Sequence, residues 1–216
     1  MFKNIVTYYL HQSRSLPPND ALAYQYVLAA AGLYLRAANH FFDVLLPIVR
    51  CQIRGLAPLQ PHFRLKVPRL PARLLNAVLN DARRARCRNG GLKEALYQFH
   101  HDGLAQGARV RVLKPPQRAT VTSVVGIEGN ASDIILDLHS HGNMGAFWSG
   151  TDNGDEQGFR VYGVIGRLDT KPEIRLRLGV YGYWFPLPVS MLFDGSGGFV
   201  DVLSQKMPGG TSDAAA

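Results

Sequence analysis

An α/β fold of the α+β kind, rich in strands and carrying at least one helix, is predicted by three observations. From residue 94 onward the chain alternates apolar and polar residues in one segment after another, the mark of strands with one covered face. A single strongly amphipathic helical segment precedes them. The 216 residues are 46% hydrophobic and only 19% charged, with 22 glycines and 13 prolines, which describes a turn-rich folded chain and excludes a disordered one.

Taken in order, residues 2–12 and 24–50 are rich in Val, Leu, Tyr and Phe and are expected to form strands, with a hairpin near Gly32. Within them "YLRAANHFFDVL" is also compatible with a helix, because Leu35, Ala38, Phe42 and Leu45 recur at helical spacing. Prolines at 58, 61, 68 and 71 break any long element there. The helix is "PARLLNAVLNDARRAR": Pro71 suits its first turn, and Leu74, Leu75, Val78 and Leu79 form its stripe. Arg83, Arg84 and Arg86 sit at the C-terminal end, where the dipole favours cations, and "RNGG" is the expected stop. Strands follow in "EALYQF", "ARVRVLKP", "ATVTSVVG", "IILDLHS", "FRVYGVIG" and "IRLRLGVYGYWFPLP". The boundaries expected are an extension over 1–66, a main domain over 67–208 and a flexible tail over 209–216. Gly209 and Gly210 read as tail residues rather than the end of a modifier protein.

Charge is uneven: residues 1–106 hold 14 Lys/Arg against 5 Asp/Glu, residues 107–216 hold 10 against 11. The basic charges are dispersed apart from "ARRARCR", so a solvated helix face is favoured over a nucleic-acid surface. Two cysteines, Cys51 and Cys87, suggest neither a disulfide framework nor a Cys-type zinc site. The start "MFKNIVTYYLHQ" lacks a signal-peptide pattern, and the most apolar stretch is interrupted by Arg36, Asn39, His40 and Asp43. A cytoplasmic protein without a membrane span is expected.

The chemistry concentrates in "HSHGNMGAFWSGTD". On a strand, i and i+2 share a face, so His139 and His141 point together. Seven residues later Ser149 has an acid three positions on, Asp152, the pattern of a helix start that could return a carboxylate to the histidines. Two His and one carboxylate leave a fourth position on zinc open, and water there has its pKa lowered to about 7. His100 and His101 are expected to end a strand in a turn, Asp155 and Glu156 to be helix N-terminal acids, and Phe147 and Trp148 to flank the site, either lining a groove or packing in the core.

His-x-His, seven residues, Ser-x-x-Asp resembles the signature of the JAMM metalloproteases. The likeness extends over roughly Pro68 to Pro188. "DLHSHG", "FWSGTDNGDE" and the stretch before "RGLAPL" resemble the bacterial PRTRC-type subgroup. The resemblance implies an MPN-type, cytidine-deaminase-like domain, with one Zn2+ held by His139, His141 and Asp152. It further implies Glu94 as the proton acceptor and Ser149 as the oxyanion donor. The implied reaction is hydrolysis of a peptide or isopeptide bond of a ubiquitin-like protein, with E1/ThiF-like and E2-like proteins as partners. Glu128 in "GIEGN" is the competing glutamate. The chain departs from the commoner pattern at Gly142, where Pro is usual, and at Tyr97, where Gly is usual; both bear on the substrate groove. The likeness of "DLHSHG" to PHP-type phosphoesterases fails because no histidine follows His141. The reading of another class is a non-catalytic scaffold that binds a ubiquitin-like partner, or nucleic acid through its basic half.

Overall fold

The computed structural model describes residues 4–13, 15–88, 90–102, 109–120, 124–126 and 131–205. It is an α+β chain with two mixed sheets and few helices, divided into two units, Met1–Pro68 and Arg69–Ala216.

The first unit is a five-stranded sheet, β1 (Val6–Leu10), β2 (Tyr24–Ala29), β3 (Gly32–Ala38), β4 (Phe42–Arg50) and β5 (His62–Leu65), in that spatial order. β1 and β2 run parallel and the other pairs antiparallel. The β2–β3 hairpin turns at Ala30 and Ala31, beside Gly32 as expected. The helical alternative for 34–45 is not adopted. Asn39 Oδ1 accepts from the N–H of Phe41 and of Phe42, both at 2.8 Å, and this side-chain turn reverses the chain between two strands. Val27, Ala29, Tyr34 and Leu45 form a core, with Tyr9, Leu16 and Leu59 packed on it.

The second unit opens with α1 (Ala72–Arg84). Pro71 lies just outside it as the capping residue, and the helix stops at Ala85, before "RNGG", because Arg86 enters a bridge with Leu92. The strands are β6 (Leu96–His101), β7 (Val110–Leu113), β8 (Gln117–Ala119), β9 (Val124–Gly126), β10 (Ile134–Ser140), β11 (Phe159–Gly166), β12 (Glu173–Val180), β13 (Tyr183–Leu187) and β14 (Val200–Asp201). Two short helices, α2 (Gly150–Asp155) and α3 (Val202–Gln205), complete the described residues. The large sheet runs β13-β12-β11-β10-β6-β7, β14 pairs with β12, and β8 and β9 form a separate pair. β12 and β13 are joined by a two-residue turn, Tyr181 (φ 48°) and Gly182 (φ 90°), the doubly left-handed geometry that suits the twist of a tight hairpin.

Register sorts the side chains between two faces. One carries Tyr97, Leu136, Leu138, Val161, Ile165, Ile174, Leu176 and Leu178, all at most 3% exposed. Tyr97 on this face reaches α1, its hydroxyl donating to Asp81 Oδ2 at 2.8 Å. Burial of each large aliphatic residue contributes about 1.5–3 kcal/mol against the cost of ordering the chain. The opposite face holds Leu96, Gln98, Asp137, His139, Tyr162, Arg175 and Arg177 by the same registers. Polar and charged residues therefore gather on one side of a sheet whose other side is apolar.

Candidate metal centre

β10 is the middle of the large sheet, parallel to β11 and antiparallel to β6, and its end delivers the histidines. His141 lies one residue beyond the strand and stays tied to β11, its N–H donating to Ile165 O at 2.8 Å. His139 and His141 share a face, both at most 9% exposed, and their Nε2 atoms lie 3.1 Å apart. The chain then turns at Gly142, whose φ of +57° is strained for other residues; a Cβ there would meet Leu92 Cβ at 3.1 Å.

The loop returns through Trp148 to α2. Ser149 is its cap: Ser149 Oγ accepts from Asp152 N–H at 3.2 Å, and Asp152 Oδ2 accepts from Ser149 N–H at 2.6 Å, a reciprocal capping box. That leaves Asp152 Oδ1 facing His139, 3.3 Å from its Nε2. One atom from each of His139, His141 and Asp152 lies within 4.8 Å of the others, a group that could hold a metal ion.

The donors suit one. Tetrahedral bonds of about 2.0–2.1 Å to zinc set ligand atoms roughly 3.3–3.4 Å apart, close to the separations of His139 from its two partners. Burial, opposed by the Asp152 charge, lowers the pKa of His139 to about 4, and burial likewise lowers that of His141. Both imidazoles are thus neutral at pH 7 and keep the lone pairs that coordination requires.

Glu94 reaches the same face through register. His139 pairs with Leu96, and the chains stay joined one step further, Ala95 N–H donating to Ser140 Oγ at 3.0 Å and Ser140 N–H to Ala95 O at 2.9 Å. One residue earlier, the Glu94 N–H donates to Thr120 O at 2.7 Å, and its carboxyl is close enough to feel the Asp152 charge. Glu94 is 4% exposed; burial first, and the Asp152 charge second, raise its pKa to about 7. The competing Glu128 lies outside the described residues. So do Gly209 and Gly210 of the expected tail.

His100 and His101 end a strand as expected, as the buried last residues of β6, and His100 Nδ1 is 2.9 Å from Asp133 Oδ2. Two other expectations are corrected. Tyr97 faces α1 on the sheet's other side, so its bulk does not shape a groove at the site. Asp155 and Glu156 stand at the C-terminal end of α2, not its start. Of the flanking aromatics, Phe147 is 44% exposed with its ring 4.7 Å from that of His141, while Trp148 is half-buried and stacks on Arg177.

Arg177 is the residue that sequence reasoning missed. It is 5% exposed, ion-paired with Glu156 at 2.5 Å, and sits between the rings of Trp148 and Trp184. The signal was present in "EIRLRLGV", where alternation sets Glu173, Arg175 and Arg177 on one face. Beside them a cavity of about 280 Å³ is lined by Trp148, Arg175, Trp184 and Pro186 among others.

Comparison with models of protein families and with curated proteins finds no match to this chain.

Proposed function

We propose that the chain is a zinc-dependent metallo(iso)peptidase of the JAMM type, hydrolysing a peptide or isopeptide bond of a ubiquitin-like protein. The observation that carries this reading is the convergence of three donors from His139, His141 and Asp152 within 4.8 Å, with buried Glu94 close enough to feel the Asp152 charge.

His139, His141 and Asp152 would hold the metal. Two imidazoles and one carboxylate are a donor set for catalytic zinc, which supplies Lewis acidity and lowers the pKa of water. The remaining chemistry belongs to the chain. Glu94, with a pKa raised to about 7, is suited both to take a proton from water and to return it to a leaving amine. Its burial keeps it off bulk solvent, and the Asp152 charge acts on it directly. Ser149 Oγ spends a lone pair on Asp152 N–H and retains its own O–H, which can donate to a developing oxyanion.

The resemblance in sequence supports the MPN-type assignment of the second unit, and its departures have physical content. At φ +57° position 142 excludes the proline usual in the family, since proline holds φ near −65°. The turn leading from His141 therefore follows its own path toward exposed Phe147. A substrate groove bordered by that turn differs from that of the commoner members. Partners of the E1/ThiF-like and E2-like kinds follow from the PRTRC-type resemblance alone.

The test is a cleavage assay with ubiquitin-like proteins encoded beside this gene, comparing wild type with Glu94→Gln. Hydrolysis by wild type and none by the variant, with equal metal content, is expected. A protein that binds the partner and never cleaves it is a scaffold and refutes the enzyme reading.

A further inference from the structure

Helix α2 carries Asp152 with little of its own to hold it in place. Its sequence, GTDNGD, contains two glycines, and none of its residues is buried. So short a helix does not persist alone, and without an apolar face it is not fixed by packing. The capping box secures its first turn. Among the described residues, the hydrogen bonds and ion pair that reach it from β12 come through one side chain.

Arg177 Nη1 donates to Asn153 Oδ1 at 2.7 Å. Its Nε donates to Glu156 Oε2 at 2.6 Å, and Nη2 lies 2.5 Å from the same oxygen. The guanidinium is 3.9 Å from the ring centroid of Trp148 and 4.9 Å from that of Trp184, whose Nε1 donates to Glu156 O at 3.1 Å. The contacts fall just before the helix, inside it and just after it, with Asp152 between. A buried ion pair is a poor way to stabilise a fold, because desolvation offsets the attraction. A planar fork that stacks and hydrogen-bonds at once is a good way to fix a direction.

We propose that Arg177 is a positioning residue of the metal centre, clamping Trp148, Asn153 and Glu156 so that Asp152 Oδ1 is held against His139. This rests on the metal reading above. Lysine cannot replace arginine here, since a point charge supplies neither the stack nor the fork.

The test uses the full chain freed of metal and titrated with Co2+, followed by its absorption bands. Wild type should bind one Co2+ per chain. Arg177→Met and Arg177→Lys should each weaken binding by about 10–100-fold, the range for residues that orient ligands, and should shift the bands. Near-UV circular dichroism of the metal-free variants reports whether they are folded. Folded Arg177 variants with wild-type affinity and bands would overturn the clamp. If neither variant folds, Asn153→Ala decides: the residue is exposed, its loss should weaken Co2+ binding by a smaller factor, and unchanged affinity overturns the proposal. Failure of wild type to bind Co2+ removes the metal reading and the clamp together, whereas failure of the clamp alone leaves wild-type binding intact.

Discussion

At the scale of single residues, two carboxylates near one another are held in different ways. Asp152 accepts a backbone hydrogen bond through one oxygen and offers the other to His139; Glu94 is buried and its acidity is weakened. The first arrangement suits a ligand and the second a proton carrier. Glu94→Gln should leave metal content unchanged while lowering turnover by about 10²–10⁴-fold, the usual contribution of a general base, as read by a cleavage assay beside metal analysis. Gly142 tests the turn after the histidines. Gly142→Ala should cost about 1–2 kcal/mol for the left-handed backbone, before counting the contact with Leu92, and so lower the melting temperature of the metal-free protein. An unchanged melting temperature would show that the turn adopts another conformation in solution.

At the scale of elements, the site depends on two ends brought together: β10 ends at the histidines and α2 begins at Asp152. Ser149→Ala removes the cap between them and should cost about 1 kcal/mol in unfolding experiments and also weaken metal binding. On the other face, α1 is tied down where Asp81 accepts from Lys114 Nζ at 2.7 Å and from Tyr97. Burial raises the pKa of Asp81, but the bonds from Lys114 and Tyr97 outweigh it and the net shift is downward. A lowered folded pKa gives stability that is present above the unfolded value of about 3.9 and is lost as pH falls through the folded one. The difference in melting temperature between wild type and Asp81→Asn should therefore narrow below about pH 4; a difference independent of pH would contradict the pairing.

The same scale explains what could be read from sequence. The His-x-His pair and the Ser149–Asp152 cap are local, set by strand period and helix capping, so their geometry was legible. The strands "IILDLHS" and "FRVYGVIG" became β10 and β11 residue for residue. Residues 34–45 were ambiguous because an apolar run fits either period, and only pairing of β3 with β4 and Asn39's turn decide it. Arg177 and its contact with Glu156 span 21 residues and depend on which strands neighbour each other. No local pattern encodes that. The side of the sheet that Tyr97 takes is hidden for the same reason: it follows from the register with β10.

At the scale of the whole molecule, the two units divide at Pro68, and the basic excess of residues 1–106 is spread across both. Among the described residues no helix is long and apolar enough to cross a membrane. A metal bound only by the folded chain stabilises it by mass action, about 2.7 kcal/mol when free metal exceeds the dissociation constant 100-fold. Chelation should reverse that gain. The most direct measurement is the metal content of purified protein, wild type against His139→Ala and Asp152→Ala. The expectation is about one zinc per wild-type chain and its loss in both variants. Wild type without zinc, with iron in its place, or variants that retain zinc would contradict it.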